Sequence, residues 1–369
     1  MSRDAASTLV FGPAYLDRII RVDQPLIDPA LGLPPIDRSV DGSWLDARPD
    51  GLVHLVDSVG ASITIKPPPG WPGPVGTVAV SRGSIGPGRR MVRGVATRDD
   101  LGGMGAGFAS SLGGTLVGAL GSEDDPDSRA VVALLDRAGI AHEPVRVEGH
   151  RADWTLLISS GGHGDKLAVG FRGCHANWTD LKPWFDRPCR LRVVAALPNR
   201  VVGQALGREG SSVIRAFFPN ARNMLDRVDP LGEFAGRVDF LSCNRGEWDD
   251  LGDRAEALDS VAVVAVTDGP AGAWVRFRGE GGGSDEIRVP AFPRSDPIRD
   301  TNRAGEAFAS AMLATLVDSG WTPGPTSSEL VRVAATRGSA AAALVLGRAD
   351  FGFATAREVD EAVRKGWVG

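Results

Sequence analysis

The segment Asp300-Thr301-Asn302-Arg303-Ala304-Gly305-Glu306-Ala307-Phe308 holds the residue types best suited to chemistry in this chain. Thr301 or Asn302 is predicted to cap the helix that follows. The small residues Ala304 and Gly305 leave the first-turn amides open to an approaching anion. Such a helix start attracts phosphate through its N–H donors and its dipole. Glu306 places a carboxylate in the same turn. Taken alone, the segment reads more simply as a helix with an acidic first turn.

Other constellations are weaker. Gly103-x-Gly105-x-x-Phe108 lacks the third glycine of a dinucleotide fingerprint, and Ala96–Asp100 ahead of it is not the buried strand that the fingerprint requires. No Gly-x-Ser-x-Gly elbow stands between a strand and a helix, which argues against a serine hydrolase. His54, His142, His150, His163 and His175 show no metal-ligand spacing and read as solvated loop residues. His163 follows the Gly-Gly turn of an expected hairpin and His175 lies just beyond it, so both would reach a substrate if the hairpin closed as a lid. Cys174, Cys189 and Cys243 form no C-x-x-C and are expected to be reduced structural thiols. Of the nine tryptophans, Trp44, Trp71, Trp154 and Trp178 fall in or near lid-like segments, where packing is the favoured role.

The elements that must position these residues belong to an α/β chain. Ser7–Gly12 reads as a short buried strand ending in glycine, followed by a turn and an acid, Asp17, at the strand's carboxyl end. Residues 24–100 differ in texture: proline- and glycine-rich breakers separate short strands at Leu52–Val56, Ile63–Ile65 and Val78–Val80. From Leu101 onward strands and helices alternate, which predicts a parallel sheet covered on both faces. Helices are expected at Ser128–Ala138, Ala304–Ser319 and Glu329–Leu346, and a hairpin at Trp154–Ile158 with Lys166–Phe171. With 41 Lys+Arg against 46 Asp+Glu, the net charge of −5 argues against a broad face for nucleic acid or an anionic membrane. Leu101–Gly121 is 21 residues without a charge, but eight are glycine, so it inserts poorly into a bilayer. The N-terminus carries no apolar signal segment. A cytoplasmic protein with no nucleic-acid or membrane partner is expected.

Several motifs occur in one order. Asp300–Phe308 resembles the Asp-Thr-x-Gly-Ala-Gly-Asp-x-Phe signature of the ribokinase-like (PfkB-type) carbohydrate kinases. Gly102-Gly103-Met104-Gly105-Ala106-Gly107-Phe108-Ala109 is similar to that family's Gly-Gly-x-Gly-Ala-Asn-x-Ala segment. Val117–Gly121 with Asp124, Asn244-Arg245-Gly246-Glu247, and Val266-Thr267-Asp268-Gly269 with Gly272-Ala273-Trp274 follow its later motifs. The resemblance covers residues 7–25 and 100–365.

The resemblance implies a Rossmann-like three-layer α/β/α sandwich with a β-rich lid. The kinase domain would comprise 1–23 and 101–369, the lid 24–100 and a hairpin near 152–176. It implies MgATP-dependent phosphoryl transfer to a hydroxyl of a sugar or nucleoside, with Mg²⁺ as cofactor and ATP as co-substrate. Glu306 then falls at the catalytic base and Arg303, Ala304 and Gly305 at the anion hole. Asn244, Thr267 and Gly269 fall on the nucleotide side, Glu247 at the Mg²⁺-water position, and Asp17, Gly103, Met104 and Gly107 on the substrate side. A homodimer through the lid strands is expected from their apolar face. Four positions depart from the pattern. Glu306 replaces an Asp, Arg303 a Gly, Met104 a Lys-like residue and Gly107 an Asn. Arg303 would either clamp a phosphate or fill the hole, and neither Met104 nor Gly107 can hydrogen-bond a sugar through its side chain. The rival reading is a ligand-binding or regulatory protein on the same fold, impaired in transfer.

Overall fold

The fold is described from a computed structural model covering residues 8–22, 43–47, 53–56, 62–66, 78–80, 89–159, 166–171, 173–179, 181, 184, 187–207, 213–294, 298, 303–348 and 351–366. The chain opens with β1 (Thr8–Phe11), β2 (Tyr15–Val22), β3 (Ser43–Ala47), β4 (Val53–Val56), β5 (Ser62–Lys66), β6 (Val78–Val80) and the long β7 (Arg89–Gly102). Then come α1 (Met104–Leu112), β8 (Thr115–Leu120), α2 (Pro126–Arg137), β9 (His142–Arg146), β10 (Trp154–Ser159), β11 (Lys166–Phe171) and α3 (Cys174–Asn177). The alternation continues with β12 (Leu191–Ala195), α4 (Asn199–Ala205), β13 (Ile214–Phe218), α5 (Ala221–Leu225), α6 (Gly232–Ala235), β14 (Phe240–Asn244), α7 (Arg245–Asp249), β15 (Val263–Thr267), β16 (Ala273–Arg278) and β17 (Ser284–Val289). Three helices close the chain: α8 (Ala304–Asp318), α9 (Ser328–Leu346) and α10 (Ala356–Gly366).

Two sheets form. The first has nine strands in the order β17-β16-β15-β14-β13-β12-β1-β8-β9. It is parallel except where β16 and β17 return antiparallel at one edge. Its strands β1, β8, β12 and β13 are buried at every position, so each feeds both faces. Val10, Leu116, Val193 and Phe218 pack with α1, α8 and α9, whereas Leu9, Phe11, Val117 and Phe217 pack with Val201, Phe234 and Leu258 on the other side. This is the expected three-layer sandwich, and uninterrupted burial is the signature of a sheet covered twice.

The second sheet has eight strands in the order β11-β10-β2-β7-β5-β4-β3-β6. Strands from 24–100 thus share one sheet with β2 and with the Trp154–Phe171 hairpin. Asp17 does not end a strand, as the sequence suggested, but lies inside β2. There Leu16, Arg18 and Ile20 are buried and Tyr15, Asp17 and Ile19 half-buried, a period-two alternation that marks a one-faced strand. The stretch before Gly103 is likewise a strand, but Val95–Asp99 in it is exposed and pairs antiparallel with β2, so a dinucleotide fingerprint still lacks its buried parallel strand. No helix among the described residues is long and apolar enough to cross a membrane.

Candidate active site

In the nine-stranded sheet, β1 leads outward to β8 and β9, whereas β12 to β15 build in the other direction. The order therefore reverses at the β1/β12 boundary, and open α/β sheets bind ligands in the crevice beyond the carboxyl ends of strands at such a point. The carboxyl ends of β1, β12, β14 and β15 share one edge, because these strands are parallel.

Glycines let α1 start on that edge. Gly12 and Gly105 meet backbone to backbone: a Cβ on Gly105 would come within 2.5 Å of the Gly12 carbonyl carbon. Gly103 holds φ +99 as the N-cap of α1, and a Cβ there would collide with the Pro13 carbonyl. That carbonyl accepts the Ala106 amide at 3.2 Å. Phe108, stacked on Phe218 at 3.8 Å, anchors the helix to the sheet. Its glycines thus serve close approach rather than a membrane or a dinucleotide.

Helix α8 delivers Glu306 to the same place. Gly107 is buried on α1, and the Cβ position built on it lies 3.7 Å from Glu306 Cγ and 3.2 Å from Phe353 Cζ. The structure therefore brings together two residues 199 positions apart, one expected as the base and the other on the substrate side. Arg303 stands at the N-cap position of α8; Thr301 and Asn302, the expected caps, lie outside the described residues. Arg303 sits in the left-handed region at φ 68 and makes no side-chain cap bond. Its guanidinium turns onto the Phe351 ring, 5.3 Å from the centroid, and Phe351 meets Phe353 edge-on at 5.9 Å. Gly305 is exposed, and a Cβ built on it would meet nothing within 4 Å. The first turn of α8 is open to a ligand.

Asn244 and Thr267 are register partners at the ends of β14 and β15. Asn244 and Glu247 form a reciprocal capping box: the Asn244 amide donates to Glu247 Oε2 at 2.9 Å, and the Glu247 amide donates to Asn244 Oδ1 at 2.9 Å. The motif therefore starts α7 whatever else it holds. Thr267 donates through Oγ1 to the Cys243 carbonyl at 3.4 Å. Gly269, at φ +51, begins the turn into β16, and Arg245 and Asp268 pair across it at 3.5 Å.

Asp17, expected to face the acceptor, lies opposite Asp100 in β7 and Thr155 in β10. A Cβ on Gly102 would overlap the Asp17 carboxylate, so this acid stands directly over the strand leading into Gly103 and Met104.

Sequence reasoning missed or misread four residues. Asp125, beside the Asp124 of the motif match, is the structural acid after β8: it is buried and caps α2, accepting from the Ser128 amide at 2.9 Å and the Ala152 amide at 2.8 Å. Asp124 is exposed. The signal was present, since Asp-Pro-Asp-Ser is an N-cap with proline at N1. His175 is not a solvated loop histidine; it is buried with Nδ1 3.3 Å from Asp153 Oδ2. Phe351 and Phe353 carried no sequence signal, because nothing local says that they fold back over α8. His163 and Trp71 lie outside the described residues, while Trp154 and Trp178 are buried, as packing residues should be.

A covered parallel sheet, an open helix start at its carboxyl edge and a second β sheet alongside define a ribokinase-like fold. Solved structures share it. A nucleoside kinase from Methanocaldococcus jannaschii, described as an archaeal member of the ribokinase family, aligns with TM-score 0.65 and 14% identity over 97% of this chain and 98% of its own. A Burkholderia thailandensis nucleoside kinase in complex with inosine aligns with TM-score 0.63 and 15% identity over 98% of both chains. A Cryptococcus neoformans var. grubii ribokinase in complex with ADP aligns with TM-score 0.57 and 16% identity over 97% of this chain and 99% of its own. At these identities the likeness is one of fold. A comparison with curated protein sequences found no match. The pfkB family carbohydrate kinase profile matches residues 79–355, and the chain belongs to that family.

Proposed function

We propose that the chain transfers the γ-phosphoryl group of ATP to a hydroxyl of a sugar- or nucleoside-like acceptor. The observation that carries this reading is the contact between the first turn of α8 and α1, where Glu306 stands against Gly107 at the carboxyl edge of the sheet. Glu306 takes the proton of the acceptor hydroxyl as the new bond to phosphorus forms. The amides of Ala304 and Gly305, with the dipole of the 15-residue α8, stabilise the charge on the transferring group. Thr267, Gly269 and Asn244 face the nucleotide; Asp17, Gly103 and Met104 face the acceptor. The oxygen donors of Asn244 and Glu247 suit a hard cation, so Glu247 would hold Mg²⁺ through water, and that ion supplies neutralising charge on the phosphates. A cytoplasmic setting and a homodimer through the second sheet belong to the same reading.

One observation favours the rival. The Phe353 ring occupies the space beside Gly107 and Glu306, so a binding protein with an aromatic cover over a silent carboxylate fits the same residues. The deciding experiment pairs thermal shift and calorimetry with a turnover assay, crossing MgATP with a panel of sugars and nucleosides. A turned-over acceptor is expected. Glu306→Gln should then lose about 10²–10⁴ in rate with nucleotide affinity little changed. Nucleotide binding without turnover of any acceptor selects the rival. No heat and no shift at millimolar nucleotide removes the kinase reading.

A further inference from the structure

We propose that Asp153, Cys174 and His175 form a site for one divalent cation of the zinc class, clamping the two feet of the Trp154–Phe171 hairpin. Asp153 immediately precedes β10, and Cys174 and His175 open α3 just beyond β11. Three chemically different ligands therefore converge from both ends of one hairpin. All are buried: Asp153 and Cys174 are 0% exposed and His175 5%. Nothing in this inference depends on the kinase reading.

The spacing of the side chains suits a metal of tetrahedral habit. Cys174 Sγ lies 3.4 Å from Asp153 Oδ1 and 3.6 Å from His175 Nδ1, and that nitrogen lies 3.3 Å from Asp153 Oδ2. Zinc bonds of about 2.3 Å to sulfur and about 2.0–2.2 Å to nitrogen and oxygen imply ligand–ligand edges of roughly 3.2–3.7 Å. The sulfur, the imidazole nitrogen and the two carboxylate oxygens stand at such separations, with Oδ1 on the sulfur side and Oδ2 on the nitrogen side. The Ala119 carbonyl oxygen, 3.4 Å from the same sulfur, borders the fourth position. The amides of Gly173 and His175 donate to Asp153 Oδ1 at 2.9 and 3.3 Å and fix the carboxylate. The His175 ring is oriented by its Nδ1 side and by an edge contact with Trp178 at 6.1 Å, since its buried Nε2 finds no hydrogen-bond partner among the described residues.

Charge and softness agree with this assignment. A dication with one carboxylate, one thiolate and a neutral imidazole sums to zero, so the filled site buries no net charge. Thiolate and imidazole select zinc over Mg²⁺, which prefers oxygen donors. On binding, the Cys174 S–H bond breaks, the proton leaves to solvent, and the sulfur's electron pair forms the bond to the metal. Nothing is oxidised or reduced.

The test uses the full chain stripped with chelator and titrated with Co²⁺. One equivalent should bring up a thiolate-to-cobalt charge-transfer band in the near ultraviolet, which Zn²⁺ then displaces. Zn²⁺ should also raise the melting temperature by mass action. Cys174→Ser should abolish the band, and Cys189→Ser should keep it. If Cys174→Ser fails to fold, His175→Gln is read instead and should weaken Co²⁺ binding by roughly tenfold or more. The absence of any thiolate band overturns the proposal, leaving a hydrogen-bonded thiol–imidazole–carboxylate cluster. A band that survives Cys174→Ser, or full-strength binding in His175→Gln, overturns it as well.

Discussion

Arg303 pays a conformational cost at the foot of α8. Its φ of 68 is a left-handed conformation that costs an L-residue with a Cβ about 1–2 kcal/mol. The family signature has glycine there, where the cost vanishes. In this chain the guanidinium recovers part of it over Phe351, a contact of about 0.5–1 kcal/mol at a partly exposed site. Comparing Arg303→Ala with Arg303→Gly isolates the backbone effect, because both lose the guanidinium and only one keeps a Cβ. Arg303→Gly should be the more stable of the pair by about 1 kcal/mol in denaturant melts. At an ordinary helical position the order is reversed, so an alanine variant as stable as the glycine one would show that the left-handed turn is not populated.

At the scale of the element, Asp125 ties the start of α2 to the segment ahead of β10. It caps α2 through Ser128, receives the Ala152 amide ahead of β10, and meets Arg151 at 3.4 Å. Burial opposes ionisation of its carboxyl, but hydrogen bonds from Ala152 and Ser128 outweigh it and hold the group below the usual 3.8. An acid with a depressed folded-state pKa contributes stability fully above its unfolded value and loses it as pH falls through the folded one. Asp125→Asn should therefore be less stable at neutral pH by about 1–2 kcal/mol, with the gap to the parent closing below about pH 4. A gap constant with pH in acid melts would separate the capping geometry from the charge. The α1 start is governed by contact rather than charge. Gly105→Ala puts a methyl into the Gly12 backbone and should cost about 1–3 kcal/mol. Because α1 carries Gly107 to Glu306, it should also lower turnover on any substrate found. An unchanged melting temperature would mean that β1 and α1 separate easily.

For the whole molecule, the second sheet matters most. Its first and last strands, β11 and β6, lie within 8 Å of each other, so the eight strands curl on themselves. A curled sheet hides its own edges, and a partner chain would have to use a face and not an edge. Under the proposed homodimer, light scattering of the full chain gives twice the mass of 38.7 kDa. A monomer at high concentration would mean that curling alone covers the apolar strands.

Local order was written in the residues. Apolar runs such as Leu191–Ala195 and Val263–Thr267 specify strands buried on both faces, the capping signal at Asn244–Glu247 starts a helix, and the motif order gives the family, because all of these depend on neighbours in the chain. Three things needed the tertiary structure, since they join residues far apart in sequence. Gly107 meets Glu306 and Phe353 only because backbone contact at Gly12 and Gly105 aims α1 at α8. Arg303 neither clamps nor fills by local rule; its direction follows from where the chain after α9 brings Phe351. Asp153 reaches Cys174 and His175 because β10 and β11 pair antiparallel and return the chain to its starting point. The sequence has no spacing to announce that cluster, because the distance between its ligands is set by the length of a hairpin.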